Sequence, residues 1–193
     1  MRPSGLAGER SGPWHPVGAR RPSEGRREGV PRSFVRKTGF RRRRRLLTRR
    51  ASDGLADRLE ADVACRGWGL WALEERATGC FIGFTGLAPK DFEASFTPAF
   101  EIGWRLARSA WGSGYATESA RVAAAFAFDE LGLEEIVSFT VQHNARSRAV
   151  MRRLGMQHDQ AHDFDHPRVL EDRLRRHVLY RLAASRSRLV QGH

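Results

Sequence analysis

Two short segments carry residue types whose spacing could do chemistry. The first, Trp111-Gly112-Ser113-Gly114-Tyr115-Ala116-Thr117, lies between an apolar strand pattern and an alanine-rich helix pattern. Glycines at 112 and 114, with Ala116 beyond, let successive backbone N–H groups turn inward without Cβ obstruction at the positive end of a helix macrodipole. A phosphate or pyrophosphate fits such a cradle. The segment is neither a Walker loop, since G-x-x-x-x-G-K is absent, nor a G-x-G-x-x-G fingerprint, because Thr117 stands where the third glycine belongs. Alone, two glycines before a helix more often mark only a tight turn. The second segment shifts that balance: Asn144-Ala145-Arg146-Ser147 follows the next strand pattern and opens a helix that ends in Arg153-Leu154-Gly155-Met156.

A third cluster, His158, His162 and His166 interleaved with Asp159, Asp163 and Asp165, has the spacing of metal ligands on one helix face. It lacks the apolar pattern of a stable helix, and Pro167 interrupts it. No metal is expected. Cys65 and Cys80 are the two cysteines, without C-x-x-C spacing, and read as free thiols in a reducing cytoplasm.

The elements that must position these groups follow from periodicity. Leu55, Leu59 and Val63, with Ala51, Ala56 and Ala64 beside them, predict a helix over 51–66, capped by Ser52 or Asp53 and ended by Gly67. Stretches 68–74 and 80–87 predict a hairpin turning at Arg76-Ala77-Thr78-Gly79. Residues 88–98 read as a loop, and 100–106 as a third strand. Ala116, Ala120, Ala123, Ala124, Phe126, Ala127 and Leu131 give a long helix over 115–131 that can pack closely on something flat, and Gly132 stops it. A strand at 136–141, a helix at 145–154 ended by Gly155, and a strand at 177–182 complete the order.

In these motifs, together with Glu101-Ile102-Gly103-Trp104, the chain resembles the GNAT acetyltransferase superfamily, and within it the branch holding the ribosomal-protein N-terminal acetyltransferases. The resemblance runs from about 55 to 182. It implies an α/β (α+β) fold with a mixed, mostly antiparallel sheet, splayed between strands 100–106 and 136–141 and flanked by helices. Acetyl-coenzyme A is the implied donor and a primary amine, a protein N-terminus or a small-molecule amine, the acceptor. By the same resemblance, the amides of Gly112, Ser113, Gly114, Tyr115, Ala116 and Thr117 hold the pyrophosphate, with Trp111 where many relatives have Arg or Gln. The free strand edge at Trp104, Arg105 and Leu106 bonds the pantetheine arm by strand addition. Asn144 binds that arm across the splay, and Ser147 sits near the sulfur. Phe164 and His166 line the acceptor pocket, although a polar surface loop describes that stretch equally well. A tyrosine that protonates the leaving thiolate in many relatives is replaced by Met151, which leaves Ser147 or water.

An ammonium group cannot attack a thioester, so an amine with a pKa near about 8 (α-amine) or above roughly 10 (lysine) must lose a proton. Glu101, on the strand beside the thioester, is the first candidate base; its alternative is a strand carboxylate paired with a surface arginine. His143 is second, with a solvated loop histidine as the alternative. A backbone N–H of the splayed strand would meet the oxyanion, worth about 3 kcal/mol in other acyl-transfer sites. Glu118 reads as a first-turn carboxylate favoured by the helix dipole.

Charge divides the chain. Of 193 residues, the first fifty hold sixteen basic and three acidic side chains, a net of +13, whereas the other 143 positions sum to −1. The whole-chain +12 is therefore a property of the first segment. Segment 1–50 lacks apolar periodicity and is expected to be disordered; the usual first strand and helix of the family are missing from it, through loss or through a shifted reading frame. Its run Arg41 to Arg45 is the place for a nucleic-acid or ribosome contact, or a solvated arginine run without a partner. Residues 51–183 are expected to form the acetyltransferase domain and 184–193 a tail. No stretch approaches the roughly 18 apolar residues of a membrane span, and no apolar signal region follows the N-terminus. A cytoplasmic monomer or homodimer is expected.

Overall fold

The computed structural model describes residues 48–185. Segment 1–47, including Arg41 to Arg45, and most of the 184–193 tail lie outside the described residues.

Helix α1 (Arg49–Arg66) leads through Gly67, at φ +77°, into strand β1 (Leu70–Glu75), and β2 (Cys80–Lys90) returns antiparallel to it. Gly79, at φ +64°, makes the hairpin turn where the left-handed backbone excludes most other residues. Strand β3 (Ala99–Leu106) pairs antiparallel with β2, and helix α2 (Tyr115–Asp129) crosses to β4 (Glu135–Val141), which lies parallel to β3. Helix α3 (Ala145–Arg153), the two-residue strands β5 (Gln157–His158) and β6 (Phe164–Asp165), the short helix α4 (Asp172–Arg175) and strand β7 (Arg176–Ala183) follow. The sheet has seven strands in the order β1-β2-β3-β4-β7-β5, with β6 also on β7, and only the β3–β4 pair is parallel.

Alternation along the strands gives each face its own layer. Leu87, Ile102, Ile136, Val178, Tyr180 and Leu182 point to one face and meet Ala120, Ala123, Ala124 and Ala127 of α2 and Val150, Met151 and Leu154 of α3. The alanine stripe brings α2 close to the sheet. Each large side chain enclosed there contributes about 1.5–3 kcal/mol. On the opposite face, Val137, Phe139 and Leu179 pack against Phe92, Phe96 and Phe164.

The structure corrects several expectations. Strand β2 continues through Ala88, Pro89 and Lys90, which pair with Glu101, Phe100 and Ala99. Pro89 is tolerated because β1 ends opposite Gly86 and asks for no N–H there. Helix α1 begins before Ser52 and Asp53, so neither stands at its cap position. The histidine-rich stretch is neither helix nor one strand: β5 and β6 flank a 3-10 turn, which separates its side chains. Cys65 and Cys80 are exposed and unbridged. Among the described residues, no helix is long and apolar enough to cross a membrane.

Candidate active site

The parallel strands β3 and β4 pair at Glu101↔Val137 and no further, so a fork opens beyond Glu101 toward Leu106 on one arm and Val141 on the other. The glycine loop continues the β3 arm and Asn144–Ser147 continues the β4 arm. The two motifs thus stand at the ends of one cleft.

On the β3 arm, Gly112 and Gly114 have φ of +87° and +85° and are exposed, and a Cβ at either would meet nothing within 4 Å. The N–H groups of Gly112, Ser113, Gly114, Tyr115 and Ala116 have no protein acceptor among the described residues. Thr117 is different, because its N–H bonds to the Gly114 carbonyl (2.9 Å) and its side chain is buried. The cradle therefore ends at Ala116. Trp111 folds back and donates its indole Nε1–H to the Leu106 carbonyl (3.0 Å), so one group of the expected free strand edge is already engaged. Trp104 packs toward the helical layer, whereas Arg105 lies on the other face over the Phe84 ring (5.5 Å), where burial holds its pKa below the ordinary value. Tyr115, which opens α2, donates to Glu75 at the end of β1 (2.6 Å) and ties the loop to the hairpin. That bond and one from Thr78 hold the Glu75 carboxyl below its usual range. Glu118 is exposed in the first turn of α2.

On the β4 arm, Asn144 caps α3. Its Oδ1 accepts from the Ser147 N–H (3.2 Å), and its Nδ2 donates to Thr140 Oγ1 (2.9 Å) and Ser147 Oγ (3.0 Å). The amide expected to reach a ligand is occupied in fixing Ser147. Because Ser147 Oγ accepts that bond, its own hydroxyl proton stays available to donate. His143 is exposed in the preceding turn. Met151 is 1% exposed in the core, and its thioether has no proton to donate.

At the base of the fork, Glu101 is paired with Lys90 Nζ across the β2–β3 ladder (3.0 Å). The partner is this lysine rather than a surface arginine. Burial pushes the carboxyl up, and Lys90 opposes the shift. Register puts Glu101 on the face of Val137, Phe139, Val141 and His177. There Phe92 contacts Phe96, Phe139, Phe164 and His166 at ring distances of 5.0–6.0 Å. Phe164 and His166 thus belong to a packed aromatic layer on the Glu101 face, not to a loose polar loop.

His177 belongs to that layer and escaped the sequence reading. It is 8% exposed, lies 5.1 Å from His166, and its Nδ1–H donates to the Arg175 carbonyl (2.9 Å). Burial lowers the pKa of both imidazoles. Alternation from Leu179 could have placed His177 on a sheet face, but which face required the pairing with Val141. The other histidines go elsewhere: His158 contacts Asp163 (2.9 Å) and stacks on Tyr180, while His162 meets Asp159 (2.8 Å), whose carboxyl is held low by His162 and by Arg181. Among the described residues, no group of three metal-ligating side chains converges.

The family model for the acetyltransferase (GNAT) domain matches residues 33–157, reaching upstream of α1. The FsC-acetyl coenzyme A-N(2)-transacetylase of Aspergillus fumigatus is 40% identical over 99 residues, covering 48% of this chain and 40% of that protein. The chain spans about half the length of the curated relatives it matches. A GNAT-family acetyltransferase from Bordetella pertussis shares the fold at a TM-score of 0.62 and 21% identity, covering 79% of this chain and 86% of that one. The ribosomal-protein-S5-alanine acetyltransferase of Vibrio fischeri does so at 0.56 and 15%, covering 71% and 73%. With the forked sheet, the glycine cradle and a family match over more than half of its length, the chain belongs to the GNAT acetyltransferase family.

Proposed function

We propose that this chain is an N-acetyltransferase that moves an acetyl group from acetyl-coenzyme A to a primary amine by direct attack in a ternary complex. The observation that carries the reading is the run of five consecutive N–H groups, Gly112 to Ala116, without acceptors among the described residues, at the mouth of the fork. It fits a pyrophosphate, since the glycines leave open space above a positive helix end. Trp104 and Arg105 on the β3 arm would run along the coenzyme arm, with Leu106 contributing less because Trp111 holds its carbonyl.

Acetyl-coenzyme A supplies the thioester-activated acetyl group. Glu101 takes a proton from the acceptor ammonium, directly or through one water, and its raised pKa makes it a better proton acceptor than an ordinary carboxylate. The amine nitrogen then bonds to the acetyl carbon as the carbon–sulfur bond breaks. Ser147, held by Asn144, or water gives a proton to the departing sulfur and takes up in exchange the second proton that the nitrogen sheds as it becomes an amide, while the proton held by Glu101 passes to solvent. His143 is the reserve base. Phe164 and His166 bound the acceptor side, joined by Phe92, Phe139 and His177.

The acceptor reading is a protein N-terminus or a small-molecule amine. The first agrees with the ribosomal-protein branch and with the name of the Vibrio fischeri neighbour, and transfer to nitrogen from acetyl-coenzyme A agrees with the name of the Aspergillus relative. The catalytic domain is proposed as 51–183, with the family match beginning at 33. The test is acetyl transfer from labelled coenzyme to a panel of amines: label on a free α-amine peptide or a small amine supports the reading, and no labelled acceptor with intact, folded protein overturns it.

A further inference from the structure

The cradle segment 111–117 contains no basic side chain, and residues 51–193 sum to a net charge of −1. A ligand bearing several phosphates needs a cation that the loop does not provide. One stands across the fork. Arg146, in the first turn of α3, places its guanidinium over the Trp111 ring, 4.6 Å from the centroid. The ring is itself pinned by the bond from Nε1 to the Leu106 carbonyl. Arg146 is exposed and has no carboxylate partner among the described residues. A guanidinium lying on a ring keeps its N–H groups pointing outward from its edges, already oriented for a phosphate oxygen. Of the other cations on the β3 arm, Arg105 lies on the opposite face over the Phe84 ring, and Arg108, on the exposed 3-10 turn before the loop, has no ring beneath it among the described residues.

We propose that Arg146, held on Trp111, is the phosphate-binding cation of the coenzyme site, supplied by the β4 arm to a cradle built on the β3 arm. The proposal rests on the coenzyme reading above. It assigns Trp111 a role as well: the indole that replaces a polar side chain at the head of the loop serves as the platform for the arginine. Loading the site thereby bridges both arms of the fork through one ligand.

The test is calorimetric titration of the full chain with coenzyme A and with pantetheine, which lacks the nucleotide and its phosphates, comparing wild type with Arg146→Ala, Arg146→Lys, Arg108→Ala and Gly114→Ala. Arg146→Ala should weaken coenzyme A binding about tenfold or more, as expected for a hydrogen bond to a charged group, and leave pantetheine binding within about twofold. Arg146→Lys should recover part of the loss, and Arg108→Ala should cost less than Arg146→Ala. Unchanged coenzyme A affinity in Arg146→Ala beside a loss in Gly114→Ala overturns the role of Arg146 and leaves the coenzyme reading standing. Equal weakening toward both ligands, or a larger loss in Arg108→Ala, also overturns it. Absence of coenzyme A binding by the folded wild type overturns both.

Discussion

Gly114 and Gly132 provide a matched pair of substitutions that separates strain from ligand binding. Both glycines have left-handed backbone, φ +85° and +64°, and an added Cβ would meet no neighbour within 4 Å at either. Alanine therefore costs the same kind of energy at both, the left-handed penalty of about 1–2 kcal/mol with no steric clash. In a domain of this size that lowers the melting temperature by roughly 2–8 °C. The sites differ in what occupies the open space: Gly114 is the middle residue of the five-amide cradle, and Gly132 lies beyond the far end of α2. Coenzyme A at a hundred times its Kd should stabilise wild type by about 2.7 kcal/mol, roughly 5–10 °C. Gly132→Ala should keep that shift, and Gly114→Ala should lose most of it, because the new methyl group takes the volume needed by the phosphates. The assay is a melting curve of each protein with and without ligand. Equal ligand shifts in the two variants would refute the placement of the ligand over Gly114.

Three further outcomes follow from the same geometry. Glu101→Gln should lower kcat about 100-fold or more with little change in coenzyme Kd; the acidic limb of the wild-type rate profile, lying above the usual carboxylate range because burial raises this pKa, should disappear. Asn144→Ala removes the cap of α3 and should cost about 1 kcal/mol in chemical denaturation, with a fall in kcat as Ser147 loses its restraint; unchanged stability would contradict the capping account. His166 and His177 have folded-state pKa values below 6.5, so the unfolded chain takes up their protons first as pH falls. Their contribution to stability is present above about pH 6.5 and declines below it; the melting temperature should fall over that window, and a His166→Gln, His177→Gln variant should show a flatter profile.

Features set by a few adjacent residues could be read from the sequence. The positive φ of Gly67, Gly79, Gly132 and Gly155 follows from where each apolar period stops, and the alanine stripe of α2 announces a helix pressed on a flat surface. The cradle was legible for the same reason, except at Thr117, whose N–H closes a local turn. What depends on register was not legible. Lys90 meets Glu101 only because β2 runs past the proline-bearing stretch that reads as a loop. His177 becomes a neighbour of His166 and Phe139 only through the antiparallel pairing of β4 with β7, and Arg146 reaches Trp111 only because two helix starts meet across the fork. Asn144 shows a subtler limit: its position was evident, but its three side-chain bonds make it a cap that fixes Ser147.

Direct attack within a ternary complex is tested most directly by following coenzyme thiol release and acceptor acetylation together. The full chain would be mixed with acetyl-coenzyme A and a peptide bearing a free α-amine, the same peptide with its amine blocked, a small diamine, or no acceptor. Thiol should be released one-for-one with acetylated amine, only when a free amine is present, and release should be strongly reduced in Glu101→Gln. Thiol release that proceeds equally without an amine, or no release with any acceptor while coenzyme binds, would contradict direct attack.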